Sequence, residues 1–465
     1  MVLGVLLSLI LLIFIAYRGL PVILFAPVCA IVAAVTASLP ILPTYTDLFL
    51  IKAAGYIKNV FPIFLLGAVF GKVMEESGAA RSIANLIIDK LGEQRAPLAV
   101  ILATGALVYG GVNVTVVTFA IYPFALTMFQ RGGFPRRLIP GCIAAGSLGC
   151  VMTSIPGTPT IQNMLPTIYL KTTLYAAPVF GICGSVLMGG LSIAWLLYRI
   201  KKVKAAEGFG DPDERTSKFD ESMALPNAYL ALVPLVVMFI LNIVLTKWYK
   251  TFDPSIMIMA ATKGHSLASK GIPVTTWALI TSLIVAILLV IVIGRKQFHT
   301  RKNLASTLNA GTIGSLLAIM NISSEVGYGG VISSLPGFAT IRDFLIEHVS
   351  GGNPLFAVVI VISVLCGITG SASGGISIAL ESMGDMLSRM CLDMGISLEL
   401  LHRVAAMASG GLDSLPHNGS VITLLAICGL THRKSYPDIG MVTVVIPLVT
   451  TIVMVGIWVI FGIRG

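Results

Sequence analysis

Apolar runs approaching or reaching the roughly 17–25 residues needed to cross a bilayer recur along the chain. They lie near 2–17, 20–38, 96–109, 114–130, 174–198, 227–246, 274–294, 354–369 and 437–462, with shorter or interrupted runs near 57–75, 137–153, 305–323, 372–388 and 400–428. This pattern predicts an all-α polytopic membrane protein of roughly 11–14 membrane segments, several of them broken.

The interruptions repeat. Residues 147–161, SLGCVMTSIPGTPTI, return about 260 positions later as MASGGLDSLPHNGSV, residues 407–421. The same shift lays Gly110-Gly-Val-Asn-Val-Thr115 over Gly370-Ser-Ala-Ser-Gly-Gly375, and FGKVMEESGAARSIANLIID (70–89) resembles YGGVISSLPGFATIRDFLIE (328–347) with one residue slipped. Paired helix breaks in corresponding positions of two halves point to the substrate site of a secondary transporter.

Composition agrees. The 465 residues are 56% hydrophobic and 11% charged, with mean hydropathy +0.93, against about 25% charged in a soluble domain. The formal charge of +10 is not a nucleic-acid signature, because the basic residues cluster between spans: Arg131, Arg136 and Arg137; Arg199 to Lys204; Arg295 to Lys302; Arg433 and Lys434. These read as positive-inside anchors. The first apolar run lacks a basic leader region and a small-residue cleavage site, so it is expected to be a first span. Seven scattered cysteines without CxxC spacing imply neither a disulfide framework nor a metal site.

Charge also orients the halves. The loop before the second motif is basic in the first half (RGGFPRR, 131–137) and free of basic residues in the second (CLDMGISLE, 391–399); after the motif, KTT (171–173) is weak and THRK (431–434) strong. Basic loops at opposite ends of equivalent segments imply opposite insertion. The expected organisation is a first inverted repeat over 1–198, a cytoplasmic linker over 199–226 and a second repeat over 227–465.

A helix broken at membrane depth exposes N–H groups and the positive end of its dipole, which attract an anion. The four polar stretches add hydroxyl, amide and glycine positions suited to a carboxylate and its substituents: Asn113, Thr115, Ser154, Gly157, Thr158 and Thr160 in the first half, and Ser371, Ser373, Gly374, Gly375, Ser377, Ser414, Asn418 and Ser420 in the second. No arginine or lysine falls inside them, which favours a small monoanion over a phosphate or tricarboxylate. The bland reading is that glycines and serines merely let helices pack closely; four such stretches arranged as a repeat argue against it.

Ionisable residues at membrane depth cost at least about 2.5–3.5 kcal/mol. Asp413 and His417 flank Pro416, where the first half has Thr153 and Gly157, an asymmetry suited to proton coupling. Glu381 and Glu325 are further candidates. No cofactor is implied. A phosphate-binding loop is excluded, since GAVFGKV (67–73) lacks the GxxxxGK[ST] spacing. An intramembrane serine protease would leave the repeat unexplained, so an enzyme is not expected. A passive anion channel, a sodium-coupled carrier and an exchanger stay open.

FGKVMEESGAARSIANLI, GITGSASGGISIALE and SGGLDSLPHNGSVITLL together resemble the gluconate permease family of bacterial proton symporters, within a larger superfamily of inverted-repeat ion transporters. The resemblance covers nearly the whole chain. It implies proton-coupled uptake of a small sugar acid or hydroxy acid across the bacterial inner membrane by a homodimer. Ser414-Leu-Pro-His-Asn-Gly-Ser420 lacks the aromatic pair of gluconate-transporting members and is more similar to members associated with 3-hydroxybutyrate or another short monocarboxylate.

Overall fold

The computed structural model describes residues 2–17, 21–112, 114–207, 209, 225–251, 274–298, 301–344, 352–416 and 418–462, and every regular element among them is helical. The first half runs α1 (Val2–Tyr17), α2 (Val22–Thr36), α3 (Leu50–Glu76), α4 (Ala79–Leu91), α5 (Ala96–Tyr109), α6 (Val114–Arg131), α7 (Ile139–Ser147), α8 (Ile161–Leu170) and α9 (Pro178–Glu207). The second repeats that order as α10 (Ala228–Thr251), α11 (Val274–Ile293), α12 (Arg301–Ser333), α13 (Pro336–Phe344), α14 (Pro354–Thr369), α15 (Ala372–Asp393), α16 (Leu398–Ser409), α17 (Gly419–Cys428) and α18 (His432–Ile460).

Four helices are long and apolar enough to cross a membrane alone among the described residues: Pro178–Lys204, Ala228–Tyr249, Thr276–Ile293 and His432–Ile460. Ile41–Lys58 and Phe61–Glu76 make a further candidate, bent by 51°, next to Pro62 inside α3, where the ring removes a backbone donor and clashes with the preceding turn. Helices such as Ala96–Tyr109, Pro354–Gly367 and Gly419–Cys428 are apolar but short. At 1.5 Å per residue they fall below the roughly 30 Å of a hydrocarbon core. They are the broken elements. Helix α9 runs past the expected end of its span to Glu207, so the first residues of the expected linker are helical, while most of the remainder lies outside the described residues.

The breaks have local causes. Helix α5 stops at Gly110–Gly111, with Gly111 at φ +85°, and α14 stops at Gly370, φ +61°. Only glycine enters that region without strain. Ser371 restarts the chain as the N-cap of α15, its side chain accepting the Gly374 N–H at 3.1 Å. Pro156 and Pro159 keep the chain between Thr153 and Ile161 out of a helix, while Asn418 caps α17 by accepting the Val421 N–H at 2.9 Å.

Packing exchanges elements between the halves. Helices α3 and α12, which hold equivalent places, lie against each other; α2 packs on α12 and α11 on α3; α8 packs on α15 and α17 on α6. Each contact therefore recurs with the halves swapped. One large apolar core runs through both halves, and a smaller one joins α1, α2 and the end of α12. In the latter, Ser8 donates to the Cys29 carbonyl at 2.7 Å and to the Tyr328 hydroxyl at 3.2 Å. Large apolar side chains left outside, including Leu3, Leu24, Val186, Ile240 and Leu288, form the kind of surface that lipid covers.

Candidate substrate cavity

All four helix breaks face one cavity of about 670 Å³. Its wall is built from Gly111 and Val112 after α5, Val114 opening α6, Pro159 to Gln162 at the start of α8, Gly370 to Ser373 at the start of α15, and Asp413 with Asn418 to Ser420 at the start of α17. Gly67 and Ala68 of α3 and Gly314, Ser315 and Asn321 of α12 close it from the other side. A cβ atom added at Gly67 or Gly314 would meet nothing within 4 Å, so these glycines hold open space.

Helices α15 and α17 both begin at the wall, which aims two positive helix ends and their free N–H groups at the same volume. The rim is held by side chains that satisfy backbone. The Asn418 amide donates to the Gly370 carbonyl at 2.8 Å and to the Asp413 carbonyl at 2.9 Å, joining the two second-half breaks. Thr160 donates to the Met152 carbonyl at 2.8 Å, which folds the first-half proline segment back on itself. Asp413 is buried, and its Oδ1 accepts from the Gly411 N–H at 2.8 Å and the Ser414 hydroxyl at 3.2 Å.

Of the residues singled out in the sequence, Thr160, Ser371, Ser373, Asn418, Ser420 and Asp413 line the cavity. Several stand behind its wall. Ser154 donates to the Cys150 carbonyl and accepts from Ser185. Ser414 bonds Asp413 and offers its carbonyl to the Tyr436 hydroxyl. Gly157, at φ +85°, is packed against Tyr109, Tyr175 and Phe239. Gly374 and Gly375 admit Glu325 and Cys366 to the backbone of α15. Thr158 is buried with a hydroxyl that has no partner among the described residues, and Ser377 is buried beside the Tyr56 hydroxyl. Glu381 forms an ion pair with Lys52 at 2.6 Å that ties α15 to α3. Thr115 lies in the first turn of α6; Asn113 and His417 lie outside the described residues.

One anchor was not singled out in the sequence. Arg403 and His402 on α16 are fully buried. The Arg403 guanidinium donates to the Ala176 carbonyl at 3.0 Å, the Leu174 carbonyl at 2.9 Å and Asn163 Oδ1 at 2.8 Å. His402 pairs with Thr172 at 2.6 Å and Asn163 at 3.1 Å. The Asn163 amide in turn donates to the carbonyls of Thr158 and Leu174. A second-half arginine thus secures the turn after first-half helix α8. Arg136, from the first half, donates to the Cys428 carbonyl at 2.8 Å and so caps the end of second-half helix α17. The only advance signal for Arg403 was a cation inside an apolar stretch.

A chain built this way has relatives. It is 42% identical over 456 residues to the uncharacterized transporter YxjC of Bacillus subtilis (strain 168), covering 95% of both chains. The protein belongs to the transporter family of YxjC. An uncharacterized transporter of Haemophilus influenzae is 32% identical over 195 residues, 41% of this chain and 43% of its own length. No family model matches. Among solved structures, the fold is similar to the Alcanivorax borkumensis YdaH transporter, with TM-score 0.56, 16% identity and coverage of 89% of this chain and 88% of that one. It is also similar to Neisseria gonorrhoeae MtrF, described as illuminating a class of antimetabolite efflux pumps, with TM-score 0.53, 13% identity and coverage of 88% and 83%. A multi-pass membrane transporter follows from the relatives and the apolar helices together.

Proposed function

We propose that the protein is a secondary active symporter of the gluconate permease type, carrying a small organic acid anion with protons across the bacterial inner membrane. The supporting observation is the convergence of four polar helix breaks, two of them opening helices α15 and α17, on a cavity with no cationic side chain among its described wall residues. A carboxylate held by helix dipoles and by the hydroxyls of Ser371, Ser373 and Ser420, with Thr160 shaping the wall, is bound loosely enough to be released on the far side. Asn113 and Thr115 are assigned to substrate binding in this reading. A cavity of about 670 Å³ suits a hydroxy acid such as 3-hydroxybutyrate or a sugar acid such as gluconate.

The coupled proton offsets the anion's charge. Asp413, in the wall, is the first acceptor, with His417 three residues beyond the end of its 3₁₀ turn and Glu381 deeper in α15. The halves, 1–198 and 227–465 joined by a cytoplasmic linker at 199–226, act as oppositely inserted repeats that alternate access, within a homodimer.

Uptake of labelled 3-hydroxybutyrate and gluconate into proteoliposomes, with and without an inward proton gradient, tests the reading. Saturable accumulation driven by the gradient is expected for at least one of them. Non-saturating flux indifferent to the gradient would make the protein a channel, and accumulation driven by sodium alone would replace the coupling ion.

A further inference from the structure

Glu325 sits in the middle of α12, with about 5% of its surface exposed. Among the described residues its Oε2 has no hydrogen-bond partner. The carboxyl points at the first turn of α15: a Cβ atom added at Gly374 would collide with Oε2, and the nearest atom there outside Glu325 is Ser371 Oγ. The Tyr56 hydroxyl from α3 and Ser377 Oγ from α15 are buried oxygens close to each other. Glu325 lies one helical turn from Asn321 and Ile322 in the cavity wall.

The other ionisable neighbours supply no counter-charge. Lys52 of α3 is engaged by Glu381, and the Cys366 thiol of α14 donates to the Ala372 carbonyl at 3.5 Å. Tyr328, one turn along α12, receives the Ser8 hydroxyl. Asp413 itself accepts two hydrogen bonds, an arrangement that accommodates an anionic carboxylate; Glu325 Oε2 receives none. An unpartnered charge at this depth costs several kcal/mol, which a bound proton removes.

We propose that Glu325 is a proton-binding site in its own right, distinct from Asp413, whose protonation releases the N-terminus of α15 to the substrate carboxylate. The inference rests on the symporter reading and deepens it. In the anionic state Glu325 and the substrate compete for one positive helix end. A proton added to Oε2 ends that competition, so proton and anion favour each other's binding, reciprocally and by the same factor. Gly374, against which Glu325 lies, directly follows Ser371, Ala372 and Ser373, the residues α15 presents to the cavity.

The test uses the full-length protein in proteoliposomes, wild type beside E325Q and E325D. With 3-hydroxybutyrate and gluconate as probes, E325Q should lose gradient-driven accumulation and the pH dependence of apparent affinity while keeping substrate exchange under equilibrium conditions, which also shows that it folds. E325D, which keeps a titratable carboxyl, should recover part of the accumulation. Infrared difference spectra give a readout independent of any substrate: a protonated-carboxyl C=O band present in wild type near neutral pH and missing from E325Q. Gradient-driven accumulation by E325Q at the wild-type level, or a wild-type spectrum without that band, overturns the proposal. A band displaced by sodium and insensitive to pH also overturns it, in favour of a sodium site. If wild type transports neither probe, the symporter reading fails on that arm while the infrared arm still decides the state of Glu325.

Discussion

Gly375 should be the least replaceable glycine of α15. A Cβ atom there would stand 2.5 Å from Cys366 Cα and still nearer to the Cys366 backbone nitrogen and sulfur. Non-bonded carbon atoms rest at about 3.5–4.0 Å, so Gly375→Ala requires α14 and α15 to part by roughly 1.0–1.5 Å. The obstacle is backbone, so no rotamer change relieves it. Overpacking of this kind costs about 1–3 kcal/mol, and here the same two helices carry Gly370 to Ser373 to the cavity. Gly314→Ala is the internal control, because its added methyl meets nothing within 4 Å. The assay pairs thermal unfolding of detergent-solubilised protein with proteoliposome uptake. Gly375→Ala should lower the unfolding midpoint and cut uptake severely, and Gly314→Ala should leave the midpoint unchanged. Equal midpoints for wild type and Gly375→Ala, or an equal loss in both variants, would refute the packing argument.

Two further outcomes follow from buried charges. Arg403→Met removes three donors, but Asn163 Oδ1 retains His402 and the Leu174 carbonyl retains Asn163 and Gly157. The net loss should be near the ~1–3 kcal/mol of one unsatisfied carbonyl, read as a lower unfolding midpoint. Asp438 is fully buried and paired with Arg199 at 2.6 and 3.2 Å; Asp438→Leu takes the buried carboxylate from Arg199 and from the Trp195 N–H and should cost about 3–5 kcal/mol, whereas Arg199→Leu combined with Asp438→Leu should recover much of that in the same melting assay.

The helices and their repetition were legible because both are written in local chemistry. Apolar runs set the spans, and Gly110–Gly111, Gly370, Pro156 and Pro416 mark where helices cannot continue. The end of α3 and start of α4 match the end of α12 and start of α13, as the similarity of 70–89 to 328–347 implied. The direction of each hydroxyl was not legible. Ser154 and Ser377 fall in the same polar stretches as Thr160 and Ser373, yet they do not line the cavity; between Ser373 and Ser377 a single helical turn separates the two fates. Arg403 was obscured for another reason: its three acceptors lie 227 to 240 residues away in sequence. The isolation of Glu325 likewise depends on what α3 and α15 fail to offer it.

The crossed arginines bear on how the chain is made. The turn that closes α8 receives its guanidinium only when a residue 229 positions later has entered the membrane. At about 5–20 residues per second, the first-half hairpin waits on the order of ten to fifty seconds with those carbonyls unclamped. Newly synthesised chains therefore pass through a window in which the first half is inserted but unfinished, and membrane quality control has its clearest view of the protein there.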